Sequence, residues 1–344
     1  MVVRPLTREN KIASSFDNPR AVMTGRPFDD IRALVNDMPS PDTKMAQAVN
    51  VILSDETGLN PLGRTHTYLE WLAGWQGQLP KISRPLIAVF AGTHGITEQV
   101  FDKNMIEAAQ SRVKNMTEGS AGVRGIASSL QAAFKVYELG TEYPSDDFTQ
   151  GPSLSEKDCA AAIAFGMEVV AEGADIIAIG NAGFGSATAA AGITRGLYGG
   201  ASDYWAGGSG TAAKTRIAVV EKGANFHKDS LGDPLEVLRR FGGRDIAGMV
   251  GAILAARHQS IPVVLDGYVV CSAAAVLHKL NPEAISHCIA GHVTREPAHR
   301  ALLDRIDLTP FLDLGIGIGD GTGAAFAIGA LQSATEALQT LKTA

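Results

Sequence analysis

Three glycine-rich stretches carry side chains able to do chemistry. The first is Gly183-Phe184-Gly185-Ser186-Ala187-Thr188, running into Ala189-Ala190-Ala191. Its glycines clear room for backbone, and the free N–H groups of a helix start then face outward beside two hydroxyls. That geometry suits a phosphate monoester. No lysine follows the last glycine, so this is not a Walker A loop. Capping of the helix by Ser186 alone fits the same residues. The second stretch, Gly207-Gly208-Ser209-Gly210-Thr211 with Lys214 beyond it, offers N–H groups, two hydroxyls and one cation. Together the two loops and the lysine have what a 5′-phosphate needs; alone, the second fits a flexible connector equally well. The third is Gly315-Ile316-Gly317-Ile318-Gly319-Asp320-Gly321-Thr322-Gly323, five glycines with one carboxylate among them. With no Cβ on either neighbour, Asp320 can stand clear in a cleft as a general base. Spacing alone favours the other role, a cap for the alanine-rich helix that follows.

Several chemistries are not supported. The third stretch lies near the C-terminus with no acidic residue some twenty positions on, which argues against a Rossmann dinucleotide site. Histidines 94, 258, 278, 287, 292 and 299 form no HxH or HxxxH pair, so no metal is expected. His94 and His292 fall at strand ends, as do Asp266-Gly267 and Glu296-Pro297, and are placed to line a cleft. No GxSxG elbow is present, so a hydrolase triad is not indicated.

The elements that must position these residues alternate. Short apolar runs at Pro85–Phe90, Phe134–Leu139, Asp175–Ile179, Ile261–Leu265 and His287–Ala290 each end at or close to a glycine. Helical patterns over 105–131, 155–172, 186–197, 234–258 and 269–279 lie between them. Continuous Val- and Ile-rich runs suit strands buried on both faces. The order predicts an α/β fold: a doubly wound, mostly parallel Rossmann-like sheet with helices on both faces. Ligands bind such sheets outside the carboxyl ends of the strands, where the glycine-rich junctions fall. Upstream, residues 1–27 read as a loose arm, 28–58 carry helical spacing, Asn60-Pro61-Leu62-Gly63 reads as a turn, and Tyr68–Trp75 as helix.

Composition sets the outer limits. The 344 residues allow two domains, or one large domain with an appendage. Hydrophobic residues make up 45% and charged ones 19%, an ordinary globular balance that excludes wholesale disorder. The 30 basic and 36 acidic residues give a net charge of −6, which argues against a broad nucleic-acid grip. Cys159, Cys271 and Cys288 form no CxxC pair and fit a reducing compartment. No apolar run reaches the ~18 residues of a membrane span, and the first residues lack a secretory apolar core. A cytoplasmic protein without membrane or nucleic-acid partners is the expectation.

The stretches VFAGTHGIT (89–97), SEKDCAAAIAFGME (155–168), DPLEVLRRFGGRDIAGMVGAILAARHQSIPVVLDGY (233–268), GHVTREPAHR (291–300) and LDLGIGIGDGTGAAFA (312–327), with Pro61-Leu62-Gly63-Arg64, stand in one order over most of residues 28–330. They resemble the nicotinate-nucleotide–dimethylbenzimidazole phosphoribosyltransferase family of cobalamin lower-ligand synthesis. The resemblance implies a parallel-sheet α/β domain over 81–330, and a smaller helical domain from 28–80 with part of 300–344. It implies a homodimer that moves phosphoribose from nicotinate mononucleotide to a benzimidazole nitrogen, with no cofactor or metal. Carried over, Asp320 is the proton acceptor. Gly183, Gly185, Ser186, Thr188, Gly208, Ser209, Gly210, Thr211, Lys214, Asp266, Gly321 and Thr322 hold the phosphate and nucleotide. Asn181, His94, Met105, Ser111 and Ile318 line the base pocket. The chain departs from the family at Asp320, where the family has Glu, at Asn181, which replaces a carboxylate, and at Thr93, which replaces an acidic residue. A carboxylate shorter by one methylene loses about 1.5 Å of reach, and a misplacement near 1 Å can cost ~10²-fold in rate. A different acceptor base on the same fold, or a non-catalytic nucleotide-binding relative, is the alternative.

Overall fold

A computed structural model of the chain describes residues 26–54, 62–101, 105–208 and 211–342. Most of the expected arm, through residue 25, lies outside the described residues, as does the Asn60-Pro61 half of the expected turn. Six parallel strands form one sheet: β1 (Pro85–Ala91), β2 (Ala133–Glu138), β3 (Ile176–Asn181), β4 (Val263–Leu265), β5 (Cys288–His292) and β6 (Pro310–Leu312). Their spatial order is β2-β1-β3-β4-β5-β6. The chain runs outward from β1 to β2, then returns across the sheet to β3. The order therefore reverses between β1 and β3, and a crevice opens at their carboxyl ends.

Alternation along the strands sorts the core into two layers. Leu86, Ala88, Phe90, Ile177 and Ile179 face one cluster with helices Pro27–Asn36, Glu156–Met167, Ser186–Tyr198, Pro234–Phe241, Arg244–His258 and Gly267–Leu280. Ile87, Val89, Ala91, Ile176 and Ala178 face the other, with helices Thr43–Leu53, Thr65–Gln76, Gly122–Ser129 and Thr322–Lys342. Every residue of β1 is buried because both faces are covered, whereas the edge strand β2 is mostly exposed or half-buried. Helices start where the sequence supplies caps. The Ser155 side chain accepts from Asp158 N–H, and that of Asp233 from Leu235 N–H ahead of a proline at the first helical position.

The five expected strands form, within two residues of their expected bounds. Two expected helices are each divided. The span 105–131 breaks into Ile106–Glu118 and Gly122–Ser129 at Gly119, which sits at φ +112°. The span 234–258 breaks at Gly242-Gly243, where backbone passes so close to His94 that a Cβ on Gly243 would lie 2.4 Å from the imidazole. Of the 28–58 span, the described residues up to 54 form two helices, Pro27–Asn36 and Thr43–Leu53, one on each face of the sheet. Strand β6 and helices Thr211–His227 and Pro297–Arg305 were not expected. A three-residue strand is too short to show a period, and Thr211–His227 begins where a glycine-rich loop masks its start.

Candidate active site

The crevice between β1 and β3 is built around a carboxylate with no solvent exposure, Asp245 in the first turn of helix Arg244–His258. His94, just past β1, donates from Nε2 to Asp245 Oδ1 at 2.9 Å. Ser186 Oγ and Asn181 Nδ2 donate to Oδ2 at 2.7 and 2.8 Å. The Asn181 carbonyl in turn accepts from Gly183 N–H. Burial pushes the Asp245 carboxyl upward, but the His94 imidazole and the hydrogen bonds from His94, Ser186 and Asn181 outweigh it and hold the carboxyl at about 2. The glycines around it are required by contact: a Cβ on Gly183 would lie 2.3 Å from Ser186 Oγ and 2.4 Å from Asp245 Oδ2. The turn Gly183–Ser186 is therefore fixed from beneath, while its outer backbone faces the cleft.

A second buried carboxylate fixes the late glycine-rich loop. Asp266, past β4 and fully buried, accepts from Gly321 N–H at 2.6 Å and Ala324 N–H at 2.7 Å. Its Oδ1 also lies 2.9 Å from His292 Nε2. The loop is tied to β3 by Asn181 N–H donating to Gly319 C=O at 2.7 Å. Gly321, at φ +97°, presses against Gly180, where a Cβ would fall 2.4 Å from Gly321 N. These constraints set Asp320 at the crevice, 8% exposed, with Oδ1 accepting from Thr322 N–H at 3.2 Å. The carboxylate thus caps helix Thr322–Lys342 and borders a cavity at once, so the two roles open from sequence coexist.

Two cavities meet here. One, of about 720 Å³, runs along Gly183–Gly185, Ala187, Thr188, Gly207 and Gly208, with Arg112, Arg216, Arg295 and Glu296 on its walls. The other, of about 450 Å³, is lined by Ser111, Asn115, Met116, Ala121, Ile318 and Asp320. Arg112 lines both. Its guanidinium lies over Phe184, 4.2 Å from the ring centroid. Arg216 is spent within the protein: it donates to Ala206 C=O and Gly207 C=O and pairs with Glu296 at 2.9 Å. Burial raises the Glu296 carboxyl above its ordinary value, and Arg216 opposes that rise.

The structure brings Gly183, Gly185, Thr188 and Gly208 onto the first cavity, and Ser111, Ile318 and Asp320 onto the second. Gly321, Thr322 and Asp266 lie in the scaffold of Asp320. Ser186, Asn181 and His94 lie together beneath the phosphate-type loop, each donating one hydrogen bond to Asp245. Thr211 opens helix Thr211–His227, and Lys214 is exposed on it; neither lines the two cavities. Met105 precedes helix Ile106–Glu118 and also lines neither. Ser209 and Gly210 lie outside the described residues. Sequence reasoning missed Asp245, Arg112, Arg216 and Arg295. The signal for Asp245 was present in Gly242-Gly243-Arg244-Asp245, an acidic residue in the first turn after a glycine pair. Among the described residues no cluster of His, Cys, Asp and Glu has a metal-binding arrangement, and no helix is long and apolar enough to cross a membrane.

This architecture has close counterparts. The phosphoribosyltransferase family model matches residues 38–344. The nicotinate-nucleotide–dimethylbenzimidazole phosphoribosyltransferase of Rhizobium rhizogenes is 46% identical over 319 residues, covering 91% of this chain and 94% of that one. The enzyme of the same name from Rhizobium meliloti is 45% identical over 318 residues, 90% of this chain and 94% of its own. A crystal structure of the Thermus thermophilus enzyme of that name superposes with a TM-score of 0.80 at 28% identity, covering 87% of this chain and 96% of that one. With a family match over nearly the whole chain and relatives of this identity, the chain belongs to the nicotinate-nucleotide–dimethylbenzimidazole phosphoribosyltransferase family.

Proposed function

We propose that the protein transfers phosphoribose from nicotinate mononucleotide to 5,6-dimethylbenzimidazole, giving α-ribazole 5′-phosphate and nicotinate. The observation that carries the reading is the pair of adjoining cavities, one walled by glycine-rich backbone and arginines, the other holding the Asp320 carboxylate beside Ile318 and Met116. The first suits the nucleotide, with its phosphate against the N–H groups of Gly185, Ser186 and Ala187 at the helix start and of Gly207–Gly208. The second suits a flat bicyclic base.

The chemistry follows from that placement. The unprotonated ring nitrogen of the base attacks C1′, and the C1′–N bond to nicotinate breaks. Its electron pair returns to the pyridinium, which leaves neutral at nitrogen. Attack from the face opposite the leaving group inverts C1′ from β to α. The proton on the other benzimidazole nitrogen becomes acidic as positive charge develops, and Asp320 accepts it. A carboxylate near C1′ also stabilises the oxocarbenium-like transition state. Gripping the distant phosphate orients the ribose for attack on one face. Asp266 acts through the loop, holding Asp320 in place.

Residues 28–80 with part of 300–344 are assigned to the smaller helical domain, the protein to the cytoplasm, and the assembly to a homodimer. Free buried Cys159, Cys271 and Cys288 support the compartment; family resemblance supports the dimer. The test is incubation with nicotinate mononucleotide and 5,6-dimethylbenzimidazole, with products separated and weighed by mass spectrometry. Equimolar nicotinate and α-ribazole phosphate are expected. Donor binding without either product would overturn the reading.

A further inference from the structure

Arg112 stands between the two cavities and lines both. Its side chain is half-buried, with the guanidinium carbon over the Phe184 ring at 4.2 Å from the centroid. It makes one long hydrogen bond among the described residues, from Nη1 to Ala182 C=O at 3.5 Å. Among the described residues no carboxylate lies within ion-pair distance of it. Burial lowers its pKa, and only the more distant Asp320 opposes that. Arg216, in contrast, has its donors taken up by two carbonyls and Glu296. A partly desolvated guanidinium with a free fork is costly alone and is offset by a planar anion taken bidentately.

We propose that Arg112 reads the carboxylate of the nicotinate group and thereby selects a nicotinate over a nicotinamide nucleotide as donor. The inference rests on the transfer reaction proposed above. The donor offers two anionic groups, and the phosphate has its own site in the N–H groups of the glycine loops. Arg112 lies at the junction of the cavities, where C1′ must sit for the base beside Asp320 to reach it. A ring substituent on the leaving group lies within a few ångströms of that point; the 5′-phosphate lies farther off.

This contact also strengthens during the reaction. In the donor, the pyridinium charge partly cancels the attraction between the carboxylate and Arg112. As the C1′–N bond breaks, the electron pair returns to nitrogen and the positive charge disappears. The departing group becomes a net anion, and its attraction to Arg112 increases. An interaction stronger in the transition state than in the ground state raises kcat, not merely affinity. Departing nicotinamide loses the same pyridinium charge but has no carboxylate for Arg112 to hold, so the preference between donors lies in the carboxylate contact and is read in kcat/KM.

The test compares the whole protein with Arg112→Gln and Arg112→Lys, using nicotinate and nicotinamide mononucleotides with 5,6-dimethylbenzimidazole. Losing a charge-assisted pair predicts a fall of roughly 10- to 100-fold in kcat/KM for the nicotinate nucleotide in Arg112→Gln. The nicotinamide nucleotide should change by less than about threefold, and Arg112→Lys should recover part of the loss. Titration calorimetry with free nicotinate, which needs no turnover, should show weaker binding to Arg112→Gln, while a thermal melt checks folding. Equal losses with both donors would place Arg112 on the shared ribose phosphate and overturn the inference. So would an unchanged preference in an active enzyme. No product from the unsubstituted protein with either donor would instead refute the transfer reading itself; undiminished nicotinate binding by Arg112→Gln would then refute the anion-reading role separately.

Discussion

A carboxylate without solvent needs donors for both oxygens, and Asp245 has four: His94, Asn181, Ser186 and the Ile246 N–H. Asp245→Asn would place an amide N–H₂ against groups that are themselves donors. It should destabilise the protein by about 3 kcal/mol, read from a urea midpoint, and raise KM for the donor, because the turn above the network loses its anchor. An unchanged midpoint would contradict this. The network was hidden from sequence reading because it joins residues 94, 181, 186 and 245, which only the fold brings together. Ser186 was recognised by its place in a Gly-x-Gly-Ser pattern, but its hydroxyl turns inward. Arg112 and Arg216 were missed because long side chains on helices show where they point only once the helix is packed. Asp320 was legible because a single charge among five glycines stands out in any register.

The elements show where glycine carries information that periodicity does not. Helices Glu156–Met167 and Arg244–His258 cross so closely that a Cβ on Gly166 would lie 1.8 Å from Gly248 C=O, and one on Gly251 1.8 Å from Ile163 C=O. Backbone cannot yield as a flexible side chain does. Gly251→Ala should therefore be net destabilising, because overpacking against backbone costs about 3 kcal/mol or more, at the upper end of the usual range, while the helix propensity of alanine returns only about 1 kcal/mol. Chemical denaturation measures this, and a stabilised variant would show the crossing to be looser than described. The assignments of β1, β3, β4 and β5 followed from continuous apolar runs and hold because both faces of the sheet are covered there, whereas β2, mostly exposed or half-buried at the edge, carries Lys135 and Glu138 in its run. Helix ends were less legible. The break at Gly242-Gly243 serves the approach of His94, a tertiary demand with no local signature.

Across the whole molecule, buried histidines link stability to pH. His287 and His299 are fully buried, and burial holds both imidazoles near about 3. Each is hydrogen-bonded in its neutral form: His287 Nε2 donates to Ile253 C=O at 2.9 Å, and His299 Nδ1 accepts from Thr294 N–H at 2.9 Å. The unfolded chain takes up these protons near 6.5, whereas the folded chain refuses them until about pH 3. Their contribution is therefore complete above about 6.5 and falls as pH drops, by about 1.4 kcal/mol per pH unit for each group. Urea midpoints measured from pH 7 to pH 5 should decline steadily. A flat profile would mean that these rings are charged or accessible in the fold. The sheet order itself was not readable from the sequence. The strands were visible, but the reversal between β1 and β3 that opens the crevice depends on which helix crosses which face.

The central claim, a phosphoribosyl transfer in which Asp320 accepts the proton of the base, is tested most directly by Asp320→Asn. Asn keeps the shape and the helix cap while removing the base. Turnover with nicotinate mononucleotide and 5,6-dimethylbenzimidazole should fall by about 10²- to 10⁴-fold, with donor affinity by calorimetry unchanged within about threefold. A variant that turns over at the unsubstituted rate would contradict the account.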